Sequence, residues 1–370
     1  MKIRVLHVID HLGYGGAPFV VKNIVERVPA DRIESRVCAL RTNPRSIPIG
    51  TPTINLQCGK YHPGAVRAIA AVAANYRIDI IHAHLQKAVI CSLLARRRYS
   101  SRLVLHEHGP IFRGGTGCVY RLFLNRLGRR ADAIIANSEA TKSAVQAVLR
   151  RHGVPIAVVA NFIDMSRFNP DGHARDAARR SLGFGGEEFV VGFVGRLDRA
   201  KGADLLVDAA AVLKHASRGV RIVIVGDGPE RKRLEHQVCR LGLGGMVVLA
   251  GLQENTAAVM RAFDAGVVPS RREAFGIAAL ELMRMKVPVV VSSVGGLPEL
   301  VQDGQTGLVL PRLAPDDIAQ CVRRLQDDSE MRARLSRDAF DHARSFDGRR
   351  EVKQIVDIYE RLMSAEEAQR

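Results

Sequence analysis

Two histidines at the end of an apolar run are the first residues in this chain that could do chemistry. The run LVLHEHG places His106 and His108 two positions apart, with Glu107 between them. In a β-strand alternate side chains point to one side, so both imidazoles could hold a metal ion, act as a base or contact a polar ligand. His82 and His84 repeat the spacing after another apolar run, and the choice between these roles stays open at this point.

A short loop between an apolar run and an amphipathic segment contains several cations. The stretch GFVGRLDRAKGADLLV contains Arg196 and Lys201. Guanidinium and ammonium groups at such a position are suited to neutralise a diphosphate, although loop cations are often merely solvated. A further glycine turn, at Gly226, follows the next apolar run and indicates that the sheet continues.

Two glutamates eight residues apart form a third candidate group. Glu273 precedes the expected start of a helix near Phe275 and Gly276, and Glu281 lies inside that helix. Gly276 would let main-chain amides approach a phosphate or sugar, and the carboxylates can accept hydrogen bonds from sugar hydroxyls. The alternative is a helix-entry acid and a surface acid, but the apolar run AALELM disfavours a solvated Glu281.

A glycine-rich turn follows the first apolar run, in VIDHLGYGGAPFVV. Gly13, Gly15 and Pro18 occupy the three places of the dinucleotide-binding fingerprint, and the proline weakens a nicotinamide interpretation. Backbone amides of this turn could still meet a phosphate at the start of a helix. A tight turn without any ligand is the alternative.

The order of apolar runs predicts the elements that must position these residues. Short β-branched runs alternate with longer amphipathic segments along the 370-residue chain, which is typical of parallel α/β layers. Two sets of runs are separated by a linker, 161–188, that is rich in Gly, Asp and Arg. We therefore predict two doubly wound domains, 1–165 and 166–348, with ligand-binding loops beyond the carboxyl ends of the strands, and a closing helix at about 349–370.

The composition excludes several classes of protein. No apolar run approaches the roughly 20 residues that a membrane-spanning helix needs. The 6 cysteines contain no Cys-x-x-Cys pair, which disfavours a zinc site or a disulfide framework. The net charge of +17 favours anionic partners: nucleotides, nucleic acid or an acidic membrane. The N-terminal apolar run is short and stops at Asp10, so we expect a cytoplasmic protein.

A series of motifs resembles those of the retaining glycosyltransferases of family 4. EAFGIAALE is similar to the Glu-x7-Glu motif of that family, and GGA, HAH, HEHG, GRLDRAKG, VGDGPER and VGGLPELV follow the order of its other motifs. The resemblance implies the GT-B fold, with two facing Rossmann-like domains and a deep cleft between them. The closing helix would then pack back on the N-terminal domain.

The resemblance also implies roles for individual residues. Arg196 and Lys201 would contact the diphosphate and stabilise the departing nucleotide, the role that a metal ion fills in other transferases. Glu281 would hold the ribose hydroxyls and Glu273 would position the transferred sugar. His108 matches the active-site histidine that hydrogen-bonds the donor sugar, which favours this contact over a metal site. The other positions implied to bind the donor are Gly15, Gly16, Gly226, Phe275, Gly276 and Ile277.

The reaction implied is transfer of a hexose from a UDP- or GDP-linked donor with retention of anomeric configuration. The leaving phosphate would help to deprotonate the acceptor hydroxyl, so that no separate protein base, metal or cofactor is required. Two alternatives remain from the residues alone, an NAD-type oxidoreductase and a metal-dependent hydrolase that uses the histidines. The first leaves the paired glutamates unexplained.

A basic stretch indicates where an acceptor could bind. Between Leu94 and Arg130 the sole acid is Glu107, and VYRLFLNRLGRR mixes leucines with arginines. This arrangement suits an anionic membrane surface at the inner face of the cell membrane, or else an ordinary helix whose leucines face the core. We expect a lipid-linked or cell-surface glycan acceptor, as in polysaccharide or lipopolysaccharide synthesis, and no nucleic-acid partner. The arginines assigned to this surface are Arg113, Arg121, Arg126, Arg129 and Arg130.

Overall fold

Two units make up the computed structural model, which describes residues 2–58, 64–109, 116–149, 153–217 and 219–367. The first unit combines Met1–Phe162 with Gly348–Arg370, and the second is Ile163–Asp347. Each unit contains one parallel sheet with helices between its strands. The α/β class predicted from the alternating runs is therefore confirmed.

The first unit contains a parallel sheet whose strand order reverses next to its first strand. In the described residues its strands are β1 (Ile3–Ile9), β2 (Ile33–Ala39), β3 (Thr53–Asn55), β4 (Ile80–His84), β5 (Arg102–Glu107), β6 (Ala133–Ala136) and β7 (Ile156–Val158). Between them lie α1 (Gly16–Arg27), α2 (Gly64–Asn75), α3 (Gln86–Ala95), α4 (Thr116–Leu127) and α5 (Glu139–Leu149). The order β3-β2-β1-β4-β5-β6-β7 places a topological switch point at the carboxyl ends of β1 and β4.

The second unit repeats this scheme. Its helices within the described residues are α6 (Arg175–Ser181), α7 (Ala203–Ala216), α8 (Arg231–Arg240), α9 (Thr256–Met260), α10 (Ile277–Arg284), α11 (Leu297–Leu300), α12 (Pro315–Asp327) and α13 (Ser329–Ala343). Its strands are β8 (Phe189–Val194), β9 (Val220–Val225), β10 (Val247–Gly251), β11 (Ala265–Val268), β12 (Val289–Val291) and β13 (Leu308–Val309). The order β10-β9-β8-β11-β12-β13 places the switch point between β8 and β11.

The segment interpreted as a linker contains α6, a helix without an obvious apolar stripe. Arg175 and Arg179 of this helix both bond to Asp264, with nitrogen–oxygen distances of 2.6 Å and 3.3 Å. Arg179 is 5% exposed. From sequence alone, an arginine-rich segment is expected to be exposed to solvent. Here the carboxylate of Asp264, distant along the chain, holds the helix against the second sheet.

The last helix, α14 (Arg349–Glu367), belongs to the first unit. Its Tyr359 is fully buried, and the hydroxyl lies 2.6 Å from Nδ1 of His82. All residues of β4, including His82 and His84, are buried. The imidazoles of this strand therefore lie inside the unit and not on its surface. Within the described ranges, no helix is both long enough and apolar enough to cross a membrane.

Candidate functional site

The loops after β8 and β11 are adjacent because these strands are neighbours at the switch point of the second sheet. Nζ of Lys201, in the first loop, lies 2.7 Å from Oε2 of Glu273 in the second. Ser270 donates a hydrogen bond to the same oxygen at 3.2 Å. The amide of Arg271 donates to the carbonyl of Ala200 at 2.7 Å, which ties the loops together. The result is a partly exposed ion pair that a ligand can reach.

Arg196 is an exposed cation of the loop after β8. Its side chain is 71% exposed, and its guanidinium pairs with Asp198 at 2.7 Å. The same carboxylate accepts a hydrogen bond from the amide of Lys201 at 3.2 Å. An exposed pair of this kind contributes little stability, so Arg196 can turn toward an anionic ligand at small cost.

Gly226 holds the loop that carries Arg196. It has φ +136°, and a Cβ at this position would overlap the carbonyl oxygen of Gly195. The amide of Leu197 donates to the carbonyl of Asp227 at 2.9 Å, which joins the same two loops. The structure thus gives this glycine a packing role, while donor binding by Gly226 stays a prediction.

Two helices begin at this switch point with uncapped amides. The N-cap residues are Gly202 for α7 and Gly276 for α10, and neither helix has a side-chain cap among the described residues. Phe275 is buried just before α10, and Ile277 is its first residue. The first-turn N–H groups and the helix dipole of a helix without an N-cap side chain favour a nearby anion. The motif therefore marks the start of α10 as predicted.

Glu281 lies on α10 and is half-buried. Burial raises the pKa of its carboxyl to about 7, and the positive charge of Arg167 acts in the opposite direction. Hydroxyl groups that donate to the carboxylate would favour its ionised form. Such a carboxyl is suited to a ligand that supplies hydrogen-bond donors.

His108 follows β5 and stands at the end of a row of three imidazoles. Its Nε2 lies 2.9 Å from Nδ1 of His84, whose Nε2 lies 3.1 Å from Nδ1 of His7. Burial lowers the pKa of His7 and of His108 to about 3, and it also lowers the pKa of His84 well below its usual range. These rings are therefore neutral near pH 7. A neutral His108 can donate or accept a hydrogen bond, which suits a sugar hydroxyl.

Glu107, between the two histidines in sequence, is not their partner. The hydroxyl of Tyr120 on α4 donates a hydrogen bond to its carboxylate. Burial raises the pKa of Glu107 to about 7, and the hydrogen bond from Tyr120 acts against this rise. Alternate residues of a strand point to opposite faces, so the acid and the imidazoles occupy different sides of the sheet.

The glycine turn after β1 lies at the switch point of the first sheet. Gly15 is the N-cap of α1 and Gly16 is its first residue, and both are exposed. A Cβ on Gly15 would have Pro18 as its nearest neighbour, 3.9 Å away. Nearby, Oδ1 of Asp10 accepts a hydrogen bond from the amide of Ala88 in α3 at 2.8 Å. The backbone at Gly15 and Gly16 is therefore open to a ligand.

Comparison with known proteins identifies the family. The family model described as Glycosyltransferase Family 4 matches residues 14–167, and that described as Glycosyl transferases group 1 matches residues 174–342. The D-inositol 3-phosphate glycosyltransferase of Saccharomonospora viridis is 32% identical over 324 residues, which are 82% of this chain and 74% of that protein. The chain belongs to glycosyltransferase family 4.

Other relatives of this family 4 glycosyltransferase agree. The D-inositol 3-phosphate glycosyltransferase of Corynebacterium urealyticum is 33% identical over 243 residues, which are 63% of this chain and 57% of that protein. The crystal structure of HepE from Anabaena in complex with UDP and glucose has a TM-score of 0.82 and 26% identity, and covers 97% of this chain and 100% of its own. The GT-B fold and the glycosyltransferase family are confirmed, and the oxidoreductase and hydrolase alternatives are set aside.

Helix α4 of the glycosyltransferase has one buried side and one exposed apolar side. Tyr120 and Leu124 are buried in the first unit. Val119 is 54% exposed and Leu122 is 52% exposed. Leucines on this helix therefore serve both the core and the surface.

The arginines assigned to this surface differ in their surroundings. Arg126 and Arg129 are exposed, and Arg121 is half-buried. Arg130 donates a hydrogen bond to the carbonyl of Leu93 at 3.3 Å, which ties it to the fold. Arg113 lies outside the described residues.

Sequence reasoning missed residues that hold the site residues in place. Ser270 lies two residues after the end of β11, a position that could have marked it as part of the site. No pattern in the chain indicates that Asp198 bridges Arg196 and the amide of Lys201. The contact between His84 and His108 likewise could not be predicted without the register of β4 against β5.

Proposed function

We propose that this family 4 glycosyltransferase moves a hexose from a UDP- or GDP-linked donor to a hydroxyl acceptor, with retention of configuration. The observation that carries the proposal is the Lys201–Glu273 pair with Ser270 at the switch point of the second sheet. A cation, a carboxylate and a hydroxyl there match the needs of a phosphate joined to a sugar.

The leaving diphosphate would be neutralised by this unit's own groups. Lys201 and the exposed Arg196 supply positive charge, and the uncapped starts of α7 and α10 supply amide donors. Such preorganised charge stabilises a developing phosphate anion and is usually the largest single contribution to catalysis. We therefore propose that sugar transfer requires no metal ion or cofactor.

The sugar and nucleoside would be held by the remaining predicted residues. Glu281 would bind the ribose hydroxyls, Glu273 with the Phe275 and Gly276 main chain would position the hexose, and His108 would hydrogen-bond it. Gly15 and Gly16 would bring backbone amides to the phosphates. Because HepE was crystallised with UDP and glucose, we favour a uridine donor over a guanosine donor.

In the reaction, the bond between the anomeric carbon and the phosphate oxygen breaks, and a bond from the acceptor oxygen to that carbon forms on the same face. The proton of the acceptor hydroxyl passes to the departing phosphate oxygen. No separate protein base is needed, so Glu273 and His108 act by positioning and hydrogen bonding.

Nucleotide binding provides the direct test. We expect UDP near 100 times its Kd to stabilise the protein by about 2.7 kcal/mol, a shift of several degrees in Tm, and NAD to give no shift.

Ionisation of Glu281 favours ribose binding, so the increase in Tm that UDP causes should shrink as the pH falls from 8 to 6. Glu281→Gln should weaken UDP binding about tenfold and reduce that pH dependence to the part that comes from the UDP phosphate itself. The exposed Glu330→Gln variant on α13 serves as the control.

The same Tm measurements with UDP, GDP and NAD can contradict the proposal. An equal shift with NAD and UDP, or none with UDP, GDP or their sugars, would exclude the donor site. A UDP shift that is independent of pH in the wild type would exclude Glu281 as the ribose ligand.

We further propose that the acceptor is a lipid-linked or cell-surface glycan, met at the inner face of the cell membrane. The exposed Val119 and Leu122 lie on α4 with the exposed Arg126, and Arg129 follows. On α3, Leu94 is 39% exposed and precedes further arginines. Apolar residues beside arginines bind an anionic bilayer, at roughly 1 kcal/mol for each cation near the surface.

Vesicle binding tests this surface. We expect the protein to bind phosphatidylglycerol vesicles, and to bind phosphatidylcholine vesicles at least tenfold more weakly. Leu122→Asp should reduce binding to the anionic vesicles by about 10-fold or more, because a leucine contributes roughly 1.5–3 kcal/mol on burial. Leu252→Asp, at a residue that is 40% exposed in the second unit, is the matched control and should bind normally. Equal binding to both lipids would contradict the membrane proposal.

A further inference from the structure

Five histidines occupy one face of the first sheet. Strand register places His7 beside His82 and His84 beside His106, and His108 continues the row after β5. Neighbouring ring centroids are 4.0 Å apart for His106 and His108, and 4.1 Å apart for His82 and His84. Sugar binding by His108 alone does not account for so many imidazoles in one place.

Several ring nitrogens in this group are buried and have no hydrogen-bond partner among the described residues. They are both nitrogens of His106, Nε2 of His7, Nε2 of His82 and Nδ1 of His108. A buried polar atom without a partner costs roughly 1–3 kcal/mol, so a set of them at one place indicates an additional ligand.

We propose that His84, His106 and His108 bind a divalent transition-metal ion of the zinc type. One nitrogen from each ring lies within 4.8 Å of the others. Nδ1 of His84 and Nε2 of His108 are 2.9 Å apart, close to the ~3.3 Å between two ligands of a tetrahedral zinc ion. The ion would replace the hydrogen bond between these two rings, and His106 would rotate to complete the set.

The donor chemistry decides the class of ion. Glu107 belongs to the opposite face and accepts from Tyr120, so the three ligands are imidazoles. Imidazole favours zinc, copper, nickel and cobalt, whereas calcium and magnesium prefer oxygen ligands.

A second trio, His7, His82 and His84, has a similar arrangement, but two observations favour the first. All three of its rings are fully buried, and His82 is already bonded to Tyr359. His108 is partly exposed and gives an ion a path of entry. His7 then has a different use, since its Nδ1 can accept from Nε2 of His84 at 3.1 Å and orient that ligand.

An ion at this site would withdraw His108 from the donor sugar. We therefore expect zinc to inhibit sugar transfer and a chelator to restore it. This consequence rests on the proposed function, whereas ion binding does not.

Metal binding to the full chain without a histidine tag provides the test. After equilibrium dialysis against micromolar Zn²⁺, we expect one ion per chain, and Co²⁺ should give the visible absorption of a tetrahedral site. His106→Gln should weaken binding by at least about 10–100-fold. His108→Gln should weaken zinc binding by a similar factor. Because this ring is partly exposed, the second variant tests the site even if His106→Gln misfolds. His236→Gln, at an exposed histidine of α8, is the control that should bind normally.

Three outcomes would overturn the metal site. These are less than stoichiometric zinc on the wild type, unchanged binding in His106→Gln, and loss of binding in His82→Gln but not in His106→Gln. Zinc that binds through His106 without affecting release of UDP would instead contradict the proposed contact of His108 with the sugar, and would leave the site itself standing.

Discussion

Replacement of Lys201 by alanine should lower kcat for release of UDP from the sugar donor by about 10²–10³-fold. Lys201 is the partly buried cation of the donor site, and its Nζ is 2.7 Å from Glu273. The variant would lose the charge that stabilises the departing diphosphate. Its free energy of unfolding should fall by about 1–3 kcal/mol at most, because solvent partly screens the Lys201–Glu273 ion pair.

The control for this variant is Lys214→Ala. Lys214 is an exposed lysine near the end of α7, and its Nζ donates to the carbonyl of Gly242 at 3.0 Å. We expect its kcat to match the wild type. A folded Lys201→Ala protein with unchanged kcat would remove this lysine from the mechanism, whereas loss of turnover with intact UDP binding would assign it to the transfer step.

Replacement of Gly295 by alanine should displace the loop that carries Glu273. Gly295 has φ +56°, and a Cβ there would lie 2.8 Å from the carbonyl carbon of Glu273 and still closer to its oxygen. The backbone must move to admit the methyl group, and a displacement near 1 Å at a catalytic group costs about 10²-fold in rate. We expect that loss of kcat together with a lower urea midpoint.

Gly304 provides a matched control, because it has φ +71° and a Cβ added there would meet no atom within 4 Å. Gly304→Ala should therefore show the cost of left-handed backbone alone, about 1 kcal/mol, with normal turnover. Equal effects of the two substitutions on kcat would show that contact with Glu273 is irrelevant to the site.

The amino-acid sequence predicts the elements of this fold well where the signal is local. Apolar β-branched runs identified strands such as β8 and β12, because buried parallel strands are apolar on both faces. The short edge strand β3 was not predicted from sequence, because it has only three residues and none of them is buried. Helix α6 was not predicted either, because its arginines pack through ion pairs with Asp264, which is far along the chain.

For the candidate site, residue types and motif order pointed to Lys201, Glu273, Glu281 and His108. They also identified the family that the comparisons confirm. What the sequence did not reveal was the partner of each group. Gly295, for example, reads as part of an ordinary helix start, and its contact with the backbone of Glu273 shows only in three dimensions.

The α/β class, the functional loops and the glycosyltransferase family could be inferred from residue types and their order along the chain. The pairing of Lys201 with Glu273, and the bridge that His84 forms between His7 and His108, became visible in the folded protein. Long-range packing sets the order and register of parallel strands, and local sequence patterns carry no record of it. Residues distant along the chain become neighbours when β8 lies beside β11, and β4 beside both β1 and β5.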